Sequence, residues 1–364
     1  MIVRKLFLKT SSGIIESLIY SFSCLIIYFC NSNKLNSVMF KIEGDHIRKL
    51  IIPIIVSVVI SQPILPQKTD NGGTNDPENY IELNEKEKRL IDFKDTEESL
   101  KLKLVQLDII NKSRMKHNAL PVKLDILASR VANKMCREAA DNGYIGHWNM
   151  AGEEPYLRYA FAGGYDHVSE NAYGEWSSDN YNVSLIGALM KSGHDKFMAE
   201  RAPNDGHKQN IIDKSHNWVG IGLYITGRQF RYYEEFIDRY FEFENVPDEV
   251  GIGKQFNIKV RTNAQRYLYY LIIYRENWPH PLSPAQISKK GSYRDYTNEI
   301  YKDIYAWDLS AYRNGVSYEI PLIFSKEGLY YIQIFTDNKE ITKPASFNTK
   351  GKAPESGLVI KVHK

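Results

Sequence analysis

Four stretches carry side chains whose types could do chemistry. GYIGHWNMAG (Gly143–Gly152) places His147 between turn-forming glycines and Trp148, and SENAYGEW (Ser169–Trp176) holds Glu170. LMKSGHDKFMAER (Leu189–Arg201) holds His194 and Glu200, and PNDGHKQNII (Pro203–Ile212) holds His207. Two or three imidazoles with a carboxylate make a nitrogen and oxygen donor set that suits zinc. The same groups serve equally for general acid–base work. Spacing alone is not diagnostic, because the chain has no compact motif such as H-E-x-x-H. Each residue also has a plainer reading. His147 fits a loop histidine bonded to backbone, Glu170 a turn brace, His207 a turn residue after Asp205-Gly206, and His194 a solvated helix histidine. His117, His167 and His216 read as surface residues. Trp148, Tyr156 and Trp176 read as core, and Arg158 in PYLRY reads as a brace for acidic neighbours.

These residues need elements to hold them. Leu100, Leu104, Leu107 and Ile110 or Ile109 recur at helical spacing, with charged residues between them. Pro121 breaks that helix, since it disfavours helical backbone at Leu120. A second helix runs from near Lys123, with Leu124, Leu127, Ala128, Val131, Ala132, Met135 and Ala139 on one face and Asn142-Gly143 as its stop. EPYLRYAFAGG gives a short third helix with Pro155 in its first turn, and a fourth spans about 184–200. WVGIGLYIT and FRYYEEFIDRYFEF, with Gly227 and Arg228 between them, read as a hairpin. Helices followed by paired strands imply an α+β fold with α-β-α layering over 98–247. Beyond ENVPDEVGIG only strand-like runs remain, from QFNIKVR to GLVIKVH, so 248–364 reads as an antiparallel β-sandwich, Ig-like in pattern. No run there clusters His, Cys or carboxylates, and the module is assigned no chemistry.

A chain of 364 residues carries two domains as a prior. A net charge of +3 gives no reason to expect a nucleic-acid partner. Cys24 and Cys30 lie in the N-terminal region and Cys136 is alone in the body, so no disulfide framework exists there. Arg48 and Lys49 precede an apolar run from Leu50 to Ile60, and Val59 and Ser61 suit a signal cleavage site. An earlier apolar run, Ile14 to Cys30, is either a first membrane span or lies upstream of a true start at Met39. Both options export the body. Residues 1–61 are thus a signal or anchor region. Residues 62–97, polar and dotted with Pro, Gly and Asn, read as a flexible linker.

The order of motifs resembles the CAP superfamily, the cysteine-rich secretory, antigen 5 and pathogenesis-related proteins and their bacterial relatives. The resemblance rests on NKSRMKHNALPVKLDILASRVANKMC, GHW, SENAYG, DGHKQNII and NWVGIGLYI followed by YYEEF, and covers about 98–247. It implies an α-β-α sandwich in which two histidines and two glutamates share a cleft. His147, Glu170 and His207 match three of them. The family's Trp-x-x-Glu context for the remaining glutamate is absent, which leaves His194 or Glu200 for the fourth position. The resemblance implies a secreted or surface-anchored binding or adhesive protein whose cleft takes Zn2+ or another divalent metal. Its partner would be an extracellular protein, lipid or cell-envelope component. The alternatives are a metal-assisted hydrolase, with Glu170 as base, and a lipid- or sterol-binding protein.

Overall fold

A computed structural model describes residues 77–263, 265–294 and 299–364, and the backbone of four strands near the N-terminus. Those strands, β1 (Arg4–Thr10), β2 (Gly13–Ser21), β3 (Cys24–Asn31) and β4 (Lys34–Lys41), form an antiparallel sheet in chain order within a unit of their own. The run Ile14–Cys30 falls across β2 and β3 and is not a spanning helix. The Leu50–Ile60 signal lies outside the described residues. No described helix is long and apolar enough to cross a membrane.

The first folded layer begins earlier than composition implies. Residues 77–97, read as the end of a flexible linker, contain helix α1 (Pro77–Lys86), which buries Tyr80 and Asn84. The physical reason is a buried arginine. Arg130 donates to the carbonyls of Asn84, Glu87 and Arg89 at 2.6, 3.0 and 2.7 Å, so the segment is held by its backbone and needs few apolar side chains. A buried Lys103–Asp95 ion pair at 2.7 Å adds a second tie.

Helix α2 (Glu97–Lys116) starts at Thr96, whose hydroxyl accepts from the Ser99 N–H. After β5 (Lys123–Leu124), Asp125 caps α3 (Ile126–Asp141) in the same way, 2.6 Å from the Ala128 N–H. Then follow α4 (Pro155–Phe161), β6 (His167–Trp176), α5 (Ile186–Met198), α6 (Gly206–Ile212), β7 (Trp218–Thr226) and β8 (Gln229–Asp238). The four strands form one sheet in the order β5-β7-β8-β6. Successive side chains on a strand face opposite ways. Val219, Ile221, Phe230, Tyr232 and Phe236 therefore pack with α2, α5 and α6 on one face. Tyr233 packs on the other with Ala132, Met135 and Cys136 of α3. Gly220 and Gly222 let α3 lie directly on the sheet, since a Cβ there would fall 2.4 and 2.5 Å from the carbonyl carbons of Ala128 and Ala132. Cys136 is buried and unpaired.

The second layer is two sheets. One has the order β10-β17-β16-β12-β13, from β10 (Glu249–Gly251), β17 (Leu358–His363), β16 (Gly328–Asp337), β12 (Tyr267–Glu276) and β13 (Ile300–Tyr305). The other has the order β14-β15-β11-β9, from β14 (Arg313–Asn314), β15 (Ser317–Ile323), β11 (Gln255–Arg261) and β9 (Glu242–Glu244). Leu271, Ile273, Ile332 and Ile334 meet Ile258, Val260, Ile320 and Leu322 between the sheets. Two boundaries move. β9 already pairs with β11, and Phe241 packs in the sandwich core, so the chain enters the sandwich before residue 247. Nor are the modules separate bodies, because 75–364 is one compact unit. The outer face of β12 and β16, with Tyr270, Tyr274 and Tyr331, shares a core with Leu127, Tyr156, Leu157 and Tyr159 of the first module. Strands covered on both faces read as continuous apolar runs, which is the pattern of YLYYLIIYRE and GLYYIQIFTD.

Candidate functional site

Strands β6 and β8 pair so that Glu170 lies opposite Glu235 and Asn171 opposite Glu234. Alternation then sends the two pairs to opposite faces of the sheet. On the α4 side, Arg158 extends its guanidinium between the two carboxylates. Its Nη2 binds Glu170 and lies 3.4 Å from Glu235, while its Nη1 donates to the His147 carbonyl at 2.5 Å. The Nδ1 of His147 is 2.8 Å from Glu170 Oε1.

Burial sets the protonation states of this cluster. It pushes the Glu170 carboxyl up to about 7, against the opposing pull of Arg158. It pushes Glu235 well above the ordinary carboxylate range, and the Glu170 charge adds to the push. Burial works against the charge on Arg158 too, but the two carboxylates beside it outweigh that and tighten its hold on its proton. His147 is lowered to about 4, by burial first and Arg158 second. At neutral pH His147 is therefore uncharged and Glu235 keeps its proton. Arg158 is the fixed cation, and Glu170 is near its midpoint. The second module closes this cluster. The Tyr293 hydroxyl accepts from the Glu170 N–H at 2.8 Å, and its ring lies 4.8 Å from that of His147.

The opposite face holds the other two histidines. His194 is buried, with Nδ1 2.9 Å from Glu234 and Nε2 2.9 Å from Ser113 Oγ. Tyr232 and Asn171 complete the shell of Glu234, donating at 2.5 and 3.0 Å. His207 stacks on Phe197 with ring centroids 4.7 Å apart and sets Nδ1 2.5 Å from Glu200. Glu200 also accepts from the His207 N–H at 3.0 Å, so it caps the start of α6. The expected residues thus make His–carboxylate pairs. His147 meets Glu170, His207 meets Glu200, and His194 meets neither group. Each Nδ1 faces a carboxylate, and no group of three His, Cys, Asp or Glu among the described residues is placed to hold a metal.

Residues 107–236 match the model of the cysteine-rich secretory protein family, CAP. The segment is a CAP domain. Among solved structures, an extracellular protein containing a SCP domain from Bacillus anthracis str. Ames is similar at 14% identity and a TM-score of 0.30, over 65% of this chain and 67% of its own. A cysteine-rich secretory protein from Staphylococcus aureus subsp. aureus Mu50 matches at 11% identity and a TM-score of 0.28, over the same 65% and 67%. An outer surface protein from Borrelia burgdorferi matches at 15% identity and a TM-score of 0.30, over 38% of this chain and 93% of its own. No curated protein matches the chain.

Sequence reasoning about the CAP domain found the brace but not all that it braces. Arg158 does hold acidic neighbours, yet Glu234 and Glu235 went unread inside the hairpin run FRYYEEFID. Two adjacent glutamates in an otherwise apolar strand were the available signal, because neither face of such a strand is solvated. Three surface and core assignments also change. His167 and His216 are buried, and Trp176 is 63% exposed. The two histidines share one carboxylate, with His216 Nδ1 2.7 Å and His167 Nδ1 2.9 Å from Asp238.

Proposed function

We propose that this chain is an exported binding protein in which the CAP domain and the β-sandwich work as one unit. In this reading the His147–Glu170–Arg158–Glu235 cluster is a polar core and not a reaction centre. The observation that carries it is the closure of the cluster by Tyr293, which occupies the Glu170 N–H and covers His147. A substrate would have to displace Tyr293 to reach Glu170 from that side. Export is supported by Arg48, Lys49 and the apolar run after them. A second reading, a hydrolase with Glu170 as general base, is favoured by one fact: a carboxyl held at about 7 is well matched to proton transfer at neutral pH. Assays of peptide and ester hydrolysis on the protein and on Glu170→Gln separate the two. The binding reading expects no turnover that depends on Glu170. Turnover lost in a folded Glu170→Gln protein would replace it with the hydrolase.

A further inference from the structure

The junction between the CAP domain and the sandwich forms an open cavity of about 530 Å³, within the size range of small-molecule sites. Its walls differ in chemistry. The sandwich contributes aromatic and aliphatic groups, Tyr270, Ile272 and Tyr274 of β12, Phe335 of β16, and Phe347. The CAP domain contributes imidazole, carboxylate, amide and hydroxyl groups, from His216, Asp238, Asn210 and Ser169. A second cavity of about 970 Å³ adjoins it and shares Asp213, Ser215 and Ala353, so the two make a continuous groove.

Charge in the groove is largely matched before any ligand arrives. Asp238 faces two imidazoles, Glu355 pairs with Arg266, and Lys352 lies 2.5 Å from Asp337. Asp213 accepts from the N–H and the hydroxyl of Ser215, each at 2.8 Å. The polar wall is also pre-oriented. Asn171 Nδ2 donates to Glu234, so its Oδ1 accepts from Asn210 Nδ2 at 3.0 Å, and Asn210 Oδ1 must then face Ser169 and His216. One buried group is left short. Gln333 is 3% exposed and lines the cavity, and its amide makes only a 3.4 Å contact to the Tyr331 hydroxyl. A buried amide normally makes fuller hydrogen bonds.

We infer that this groove binds a neutral saccharide chain. A pyranose ring offers C–H groups on its faces and hydroxyls at its rim, which matches an aromatic wall opposite an amide and hydroxyl wall. Asp238, Glu355, Arg266, Lys352 and Asp337 are already paired, which leaves a charged ligand only Asp213 and Lys214 to engage. A peptide added as a strand would need an open edge, but β12 and β16 are interior strands of their sheet. A lipid tail would leave the polar wall unsatisfied. The inference rests on the proposal that the chain is a binding protein, and names its ligand class.

The test is calorimetric titration of the full protein with soluble neutral tetra- to hexasaccharides, with and without N-acetyl groups, and with uncharged pentapeptides as comparators. Phe347→Ala removes part of the aromatic wall, and Gln333→Leu keeps volume but removes the amide. Thermal melting checks that each variant folds. The expected result is saturable binding of at least one saccharide, weakened tenfold or more by each folded variant. No binding of any saccharide, binding unchanged in both variants, or a pentapeptide that binds in place of the saccharides overturns the inference. Those outcomes leave the hydrolysis assay untouched, and turnover that depends on Glu170 would not by itself remove saccharide binding in the groove.

Discussion

Replacing Glu170 with Gln removes a charge that burial resists in the CAP domain. The folded carboxyl is held at about 7 against an ordinary 4.5. At 1.36 kcal/mol per pKa unit, ionising it inside the fold costs about 3 kcal/mol once the pH is above 7. The sign follows from proton binding. A raised carboxyl holds its proton more tightly when folded, so its contribution to stability is greatest below 4.5 and is lost as pH rises through about 7. Glutamine stands in for the protonated form at every pH. The stability of Glu170→Gln minus that of the parent should therefore rise with pH, by about 3 kcal/mol between pH 4.5 and 8. The Glu170 charge also raises Glu235, so part of the difference is read through that neighbour. His147, lowered to about 4 by burial and Arg158 against the opposing pull of Glu235, stays in both proteins. Asp238 is held below its usual range by His216 and His167 despite burial, so the stability it contributes is present above 3.8 and lost only in more acid solution. Urea denaturation at pH 5, 6, 7 and 8 measures the difference directly. A constant difference, or one that falls as pH rises, would refute the raised Glu170 carboxyl.

Arg158→Met leaves two buried carboxyls without their cation and should cost about 3–5 kcal/mol in urea denaturation at pH 7. Adding Glu170→Gln should recover part of that loss, and strict additivity would show that the two residues are not coupled. Gly222→Ala places a Cβ 2.5 Å from the Ala132 carbonyl carbon and should cost about 1–3 kcal/mol, read as a lower melting temperature. Tyr156 joins the modules through its hydroxyl, which donates to Glu276 at 2.9 Å. Because both modules share that core, far-ultraviolet dichroism and tryptophan fluorescence should report one coincident unfolding transition, and two resolved transitions would contradict it.

Much of the fold was legible because periodicity records burial. Leu100, Leu104, Leu107 and Ile110 lie on the buried side of α2 as their spacing demands, and β7 and β8 flank Gly227 and Arg228 as the turn signal implies. The misreadings have a common physical cause. α1 is held by a buried arginine that captures its carbonyls, and a donor to backbone leaves no trace in the composition of the segment it captures. The boundary at 247 was set by turn residues, while the chain had already changed sheets at Glu242–Glu244, three residues too short to show a period. β6 escaped assignment because its alternation mixes Ser169, Glu170 and Asn171 with small residues, all of which find partners inside the protein.

The candidate site shows what motif order can and cannot carry. GHW, SENAYG and DGHKQNII place His147, Glu170 and His207 in the right succession, and the order alone identifies the CAP domain. Whether the three side chains meet depends on strand parity, which succession does not encode. Glu170 and Asn171 are neighbours in β6, and one residue of register decides which of them faces His147. The structure gives that face to Glu170 and gives Asn171 to the His207 carbonyl, 3.1 Å away. The same parity pairs Glu235 with Glu170 and Glu234 with His194. One pair of adjacent glutamates in β8 thus serves two polar clusters, Glu235 beside Arg158 and Glu170 on one face and Glu234 beside His194 on the other, and each ties the sheet to the elements packed on that face.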